Sequence, residues 1–165
     1  MSQTKLGENV VNTNGALPSV GGSAPDFTLS GNDLKEVNLK SFSGKNVILN
    51  IFPSVDTSVC ATSVREFNKR AANLNNTVVL CISKDLPFAM KRFCGAEGID
   101  KVVTLSDFKS NDFVNNYGVK MTDGALNGLM ARAIVVIDST GKVKYTELVP
   151  QIGQEPNYDA ALKAL

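Results

Sequence analysis

Residues 47–52 and 77–82 form two short, nearly continuous apolar runs, the pattern of strands buried on both faces. Between them Cys60, Val64, Phe67, Ala71 and Leu74 recur at helical spacing, while Arg65, Glu66, Asn68, Lys69 and Arg70 fill the opposite face, so an amphipathic helix joins the strands. Pro53 ends the first strand, and Asp56 or Ser54 serves as N-cap, which puts Cys60 in or beside the first helical turn. Leu86, Met90 and Phe93 mark one face of a second helix, opened by Pro87 and closed by Gly95 and Gly98, with Cys94 in its last turn. Residues 102–105 read as a third strand and 110–117 as a helix stopped by Gly118. Residues 131–137 and 142–149 make an antiparallel pair around the turn Asp138-Ser139-Thr140-Gly141, and Tyr158, Ala161, Leu162 and Leu165 outline a final helix.

Two stretches lack this clarity. Val10 and Val11 precede Asn14-Gly15, a tight-turn pair, so a small N-terminal β-hairpin covering one end of the core is expected there. Residues 119–129 carry Gly124 and Gly128 among Met121, Leu126 and Leu129, the composition of a mobile loop with many apolar side chains. The order of elements implies an α/β fold with a mixed central sheet flanked by helices on both faces.

With 165 residues, 43% of them hydrophobic, the chain suits one domain spanning 1–165. Lys and Arg number 17 against 16 Asp and Glu, and no basic block is present, so electrostatics give no case for nucleic acid or a membrane surface as partner. No apolar segment reaches the ~18 residues of a membrane span and the polar start lacks the features of a signal peptide, so a cytoplasmic protein is expected. The chain has no histidine, which removes Cys-His and Ser-His-Asp hydrolases and histidine-containing zinc sites together. Without a Cys-x-x-Cys pair a thiolate zinc site has no start either, and neither metal nor cofactor is implied.

The chemistry therefore falls to three cysteines. Cys81 sits among Val78, Val79, Leu80 and Ile82 and reads as a small core residue. Cys60, at a helix start, meets unpaired N–H groups and the positive end of the helix dipole, which favour the reactive thiolate. Arg132 interrupts an apolar strand and shares a face with Ile134 and Val136, making it the candidate cation. Thr57 lies one turn before Cys60, close enough to share its surroundings, and Pro53 shapes the turn and shields the sulfur.

The spacing Pro53-x-x-x-Thr57-x-x-Cys60 resembles the active-site signature of the peroxiredoxins, and Phe-Pro-Ser-Val-Asp-Thr-Ser-Val-Cys is similar to their thiol peroxidase branch. Leu-Cys-Ile-Ser-Lys-Asp-Leu-Pro-Phe-Ala, Arg-Phe-Cys-Gly-Ala-Glu-Gly and Ala-Arg-Ala-Ile-Val-Val-Ile-Asp extend the resemblance over essentially the whole chain. It implies a thioredoxin-like fold and a peroxidase in which Cys60 attacks a hydroperoxide. Arg132, Thr57 and the Val59 and Cys60 N–H groups would hold the oxygens. It further implies that Cys94 resolves the Cys60 sulfenic acid as an intramolecular disulfide, that thioredoxin is the reductant and that the protein is a homodimer. The apolar residues Phe27, Phe52, Val55, Met121, Leu126 and Leu129 point to organic hydroperoxides beside hydrogen peroxide, with Val59 also at the substrate. A non-enzymatic redox sensor and a general thiol-disulfide oxidoreductase are the competing classes.

Overall fold

The computed structural model describes all 165 residues. Strands β1 (Gln3–Leu6) and β2 (Asn9–Asn12) form a separate hairpin, followed by β3 (Thr28–Ser30), β4 (Glu36–Asn38) and β5 (Asn46–Ile51). Then come α1 (Ser58–Ala71), β6 (Thr77–Ser83), α2 (Pro87–Glu97), β7 (Val103–Ser106), α3 (Asp112–Tyr117), β8 (Ala133–Ile137), β9 (Val143–Leu148) and α4 (Tyr158–Lys163). Seven strands make one sheet in the order β4-β3-β7-β6-β5-β8-β9, with β5, β6 and β7 parallel and the remaining neighbours antiparallel. This is the expected thioredoxin-like arrangement of a mixed sheet between two helical layers.

The alternation of the central strands sends side chains to two cores. Val47, Leu49, Ile51, Leu80, Ile82, Val135 and Ile137 pack on the α3 side with Phe113, Val114 and Tyr117. Ile48, Val79, Cys81, Ile134 and Val136 pack on the other side with Cys60, Val64 and Phe67 of α1, Phe93 of α2 and Ala161 of α4. Both helices that carry Cys60 and Cys94 therefore lie on one face of the sheet.

Several local expectations are corrected. The hairpin turns at Gly7, whose φ of 62° suits glycine, and not at Asn14-Gly15. Asn14 instead docks: its Oδ1 accepts the Lys120 N–H at 3.1 Å, and the neighbouring backbone lies against Gly118. The N-cap of α1 is Thr57, not Asp56 or Ser54. Helix α2 passes through Gly95 and ends only at Gly98, with φ 67°, and Leu86 is half exposed instead of facing the core. The strand expected from residue 131 begins at Ala133. Residues 119–129 are tied down, against the expectation of a mobile loop. The Met121 N–H donates to the Leu129 carbonyl at 2.9 Å, the Thr122 N–H to the Asn12 carbonyl at 2.9 Å, and Met121 is buried with Val11 and Ile152 beneath the hairpin.

Candidate active site

Strand β5 leads through Pro53 into α1, so the chain turns at the C-terminal end of the sheet and places Cys60 third in the helix. The first intrahelical bond runs from the Ala61 N–H to the Thr57 carbonyl at 2.9 Å. The Ser58, Val59 and Cys60 N–H groups precede it and give this end its positive potential. Cys60 is completely buried.

Arg132, one residue ahead of β8, is only 2% exposed and turns its head onto Cys60. Its Nη2 donates to Cys60 Sγ at 3.2 Å, and its Nε donates to the Ile152 carbonyl at 2.9 Å. Nη1 is buried with no protein partner. A guanidinium held by one edge, touching sulfur with a second and offering a third donor, fits a ligand with adjacent oxygens. The hairpin clamps the backbone that leads up to this carbonyl. The Lys5 N–H donates to the Pro150 carbonyl at 3.0 Å, the Ile152 N–H to the Lys5 carbonyl at 2.8 Å, and Thr4 Oγ1 to the Val149 carbonyl at 2.8 Å.

Arg132 also lines a depression of about 190 Å³ with Pro53, Thr57, Ser58, Val59, Leu6, Leu126, Ile152 and Gly153. Thr57 is thus beside the site, but its hydroxyl donates to the Ser54 carbonyl at 3.1 Å and makes no bond to Cys60. Of the expected apolar contacts, Val59 and Leu126 line the depression. Phe27, Phe52 and Met121 do not: they are buried in three separate parts of the core, with no surface to offer a substrate. Val55 is buried beside Cys60 and faces a groove toward α2, while Leu129 packs against the hairpin cluster. Leu6, Ile152 and Gly153 were not legible beforehand, since the first depends on the hairpin's docking and Ile152 acts through its backbone.

The other two cysteines differ from Cys60. Cys81 is wholly buried, and burial pushes its thiol up to about 12, with only the Asn50 side-chain amide opposing. Cys94 is half-buried at 3.9 Å from Thr104 Oγ1, and burial pushes its thiol up against the pull of Thr104 and Asn32. All three cysteines are free. Cys94 sits over β7 through Thr104, whereas Cys60 is held by Arg132 at β8. Strands β6 and β5 intervene. A disulfide needs the two Cα atoms within ~7 Å, and the Cys60 and Cys94 thiols stand apart, each with its own partner.

No helix is long and apolar enough to cross a membrane. The Redoxin family model matches residues 19–162. The chain is 59% identical over 165 residues to a thiol peroxidase of Mycobacterium tuberculosis, covering 100% of this chain and 99% of that one. It is 53% identical over the same span to a thiol peroxidase of Corynebacterium glutamicum, with the same coverage. A crystal structure of a peroxiredoxin-like protein from Aquifex aeolicus superposes with a TM-score of 0.93 at 39% identity, covering 99% of this chain and 96% of that one.

Proposed function

Since the chain belongs to the Redoxin family and is a peroxiredoxin-type thiol peroxidase, we propose that Cys60 is its peroxide-reducing nucleophile and Arg132 the cation that activates it. The observation that carries this reading is the buried contact of 3.2 Å between Arg132 Nη2 and Cys60 Sγ, with Nη1 left free beside it. The Cys60 thiolate attacks one oxygen of a hydroperoxide, the O–O bond breaks, and the departing oxygen takes up a proton to leave as alcohol or water. Charge passes from sulfur to oxygen in the transition state, so the fixed Nη1 donor and the α1 N–H groups stabilise it more than the ground state. Pro53 walls the depression, and Thr57 completes its rim with a hydroxyl that retains acceptor capacity for the peroxide proton.

The product is a Cys60 sulfenic acid. Cys94 attacks its sulfur, an S–S bond forms, the S–O bond breaks and water leaves. A thioredoxin-type dithiol then reduces the disulfide. Bringing the two free sulfurs into contact opens the first turn of α1 and the last turn of α2, both of them helix ends with incomplete bonding. Val59, Leu126, Leu6 and Ile152 give the depression an apolar rim, which suits alkyl hydroperoxides as well as hydrogen peroxide. The chain is read as one peroxidase domain, cytoplasmic and homodimeric. Its identity to curated peroxidases favours catalysis over a redox sensor or a general disulfide oxidoreductase. The test is peroxide consumption with thioredoxin and its reductase, comparing hydrogen peroxide with cumene hydroperoxide. Cys60→Ser should abolish turnover. Residual turnover above a few percent of wild type would remove Cys60 from its role, and non-reducing peptide mapping checks the Cys60 to Cys94 bond.

A further inference from the structure

The loops that lead into the two cysteine-bearing helices meet at one carboxylate. Asp85 lies between β6 and α2. Its Oδ1 accepts the Ser54 hydroxyl at 2.7 Å, and its Oδ2 accepts the Val55 N–H at 2.8 Å and the Ser83 hydroxyl at 2.6 Å. On the sheet side the attachment is rigid. Ser83 and Ser106 are paired positions at the ends of β6 and β7, both buried; the Asp85 N–H returns to Ser83 Oγ at 3.1 Å, and the Ser106 hydroxyl donates to the Asp85 carbonyl.

On the other side the bonds run into the loop before Cys60. Ser54 Oγ accepts the Asp56 N–H at 3.1 Å, and the Ser54 carbonyl accepts both the N–H and the hydroxyl of Thr57, the N-cap of α1. A continuous path of hydrogen bonds thus joins the sheet to the turn that presents the sulfur. Asp85 has no cationic partner, so its acceptor capacity is given to these donors. Two ion pairs also link the region of α1 to α2, Arg92 with Asp56 at 3.5 Å and Arg65 with Glu97 at 2.9 Å. Both are solvent-exposed, and exposed pairs of this kind contribute little.

We propose that Asp85 is a latch: a positioning residue that holds residues 53–57, and through them Cys60, in the peroxide-reactive arrangement, and whose release governs how fast the Cys60 sulfenic acid reaches Cys94. The inference rests on the roles given to Cys60 and Cys94 above. Moving Cys60 toward Cys94 draws Ser54 and Val55 off the carboxylate, so the latch supports the first step and opposes the second. In that second step the Cys94 sulfur bonds to the Cys60 sulfur while the S–O bond breaks and water carries the oxygen away. The latch exists only while the start of α1 is folded, so it favours the dithiol form over the disulfide.

The test uses the full chain with Asp85→Asn and, separately, Ser54→Ala. The amide keeps the shape of Asp85 but turns one acceptor into a donor facing donors; Ser54→Ala removes a loop-side donor and leaves the Ser83 and Ser106 attachments intact. After one equivalent of hydrogen peroxide, disulfide formation should be roughly tenfold faster in Asp85→Asn, and the peroxide step slower. Sulfinic acid at excess peroxide, read by mass spectrometry, should fall. Equilibration against a thioredoxin couple should shift about tenfold toward the disulfide, a potential about 30 mV more negative. Ser54→Ala should move the same readouts in the same directions by less, and it decides alone if Asp85→Asn does not fold. Unchanged resolution rate and potential in a folded variant overturn the latch. So does a fall in the urea midpoint with both chemical steps slowed, the mark of a purely structural role. Absence of a Cys60 to Cys94 bond in the wild-type peptide map overturns the underlying reading as well, so the two failures are told apart by the wild type alone.

Discussion

Replacing Arg132 by lysine preserves the charge and removes the fork. The native guanidinium is oriented by the Ile152 carbonyl through Nε and reaches Cys60 Sγ through Nη2, with Nη1 left without a protein partner and proposed above to meet the peroxide. An ammonium carries its donors on one atom and cannot reproduce the planar spread by which the guanidinium meets the carbonyl and the sulfur and still holds a third, separate donor. One charge-assisted hydrogen bond to the departing oxygen is then lost in the transition state, about 1.5–3 kcal/mol. At ~1.36 kcal/mol per tenfold, the rate constant for peroxide reduction should fall about ten- to a hundredfold. Arg132→Met, which removes the charge as well, should fall about 10²–10³-fold. Stopped-flow thiol oxidation under excess hydrogen peroxide measures the first step free of thioredoxin. Iodoacetamide alkylation of Cys60 at fixed pH should slow in parallel, and a urea midpoint shows that each variant is folded. A folded Arg132→Lys protein within about twofold of wild type in both assays would refute the role given to the fork.

Four further outcomes are expected. Cys94→Ser should consume one equivalent of peroxide, then stall as sulfenic acid and accumulate sulfinic acid by mass spectrometry; continued turnover with thioredoxin would remove Cys94 from resolution. Gly118→Ala should cost more than about 3 kcal/mol in urea unfolding, because φ is 66° and the new Cβ would run into the Ala16 carbonyl oxygen; a cost under ~1 kcal/mol would mean that residues 14–16 yield freely. The folded Cys81 thiol keeps its proton to about 12, whereas an unfolded thiol loses it near ~8.5, so the folded state binds more protons between those values and its stability falls as pH rises through them by up to roughly 1.4 kcal/mol per unit. Cys81→Ala should flatten that loss between pH 8 and 10 while leaving turnover near wild type, and parallel stability profiles would refute the assignment. Leu126→Ser should lower kcat/KM for cumene hydroperoxide about fivefold more than for hydrogen peroxide, the worth of roughly 1 kcal/mol of apolar contact; equal losses would place the alkyl group elsewhere.

The central strands and α1 were legible because their signals are local: a continuous apolar run needs only burial on both faces, and Cys60, Val64 and Phe67 need only the helical repeat. Arg132 was legible as a charge breaking an apolar strand, and its burial on the Cys60 face agrees with its parity with Ile134 and Val136. What failed depended on distant partners. Asn14-Gly15 has the composition of a tight turn, but its backbone is committed to Gly118 and Lys120, and the reversal falls to Gly7. Met121 and Leu129 looked like loop residues because of the glycines around them, and only the docked hairpin makes them interior. The spacing of Thr57 relative to Cys60 was right, yet a hydroxyl's direction follows the nearest acceptor, here the Ser54 carbonyl. The Ile152 carbonyl left no trace in the sequence, since every residue carries the same group.

The anchoring of Arg132 by that carbonyl makes the site proposed for peroxide sensitive to damage far from any reacting atom. Because the acceptor belongs to the main chain, no side-chain replacement at position 152 deletes it, and the orientation of the guanidinium is robust to drift at that position. The weakness lies in the strand that clamps the backbone leading up to that carbonyl. A protease that cut only between Gly7 and Glu8 would leave Cys60 and Arg132 in place, yet free Thr4, Lys5 and the rim residue Leu6 from the backbone at 149–152. Activity should then decay along the course of digestion ahead of any loss of the central sheet.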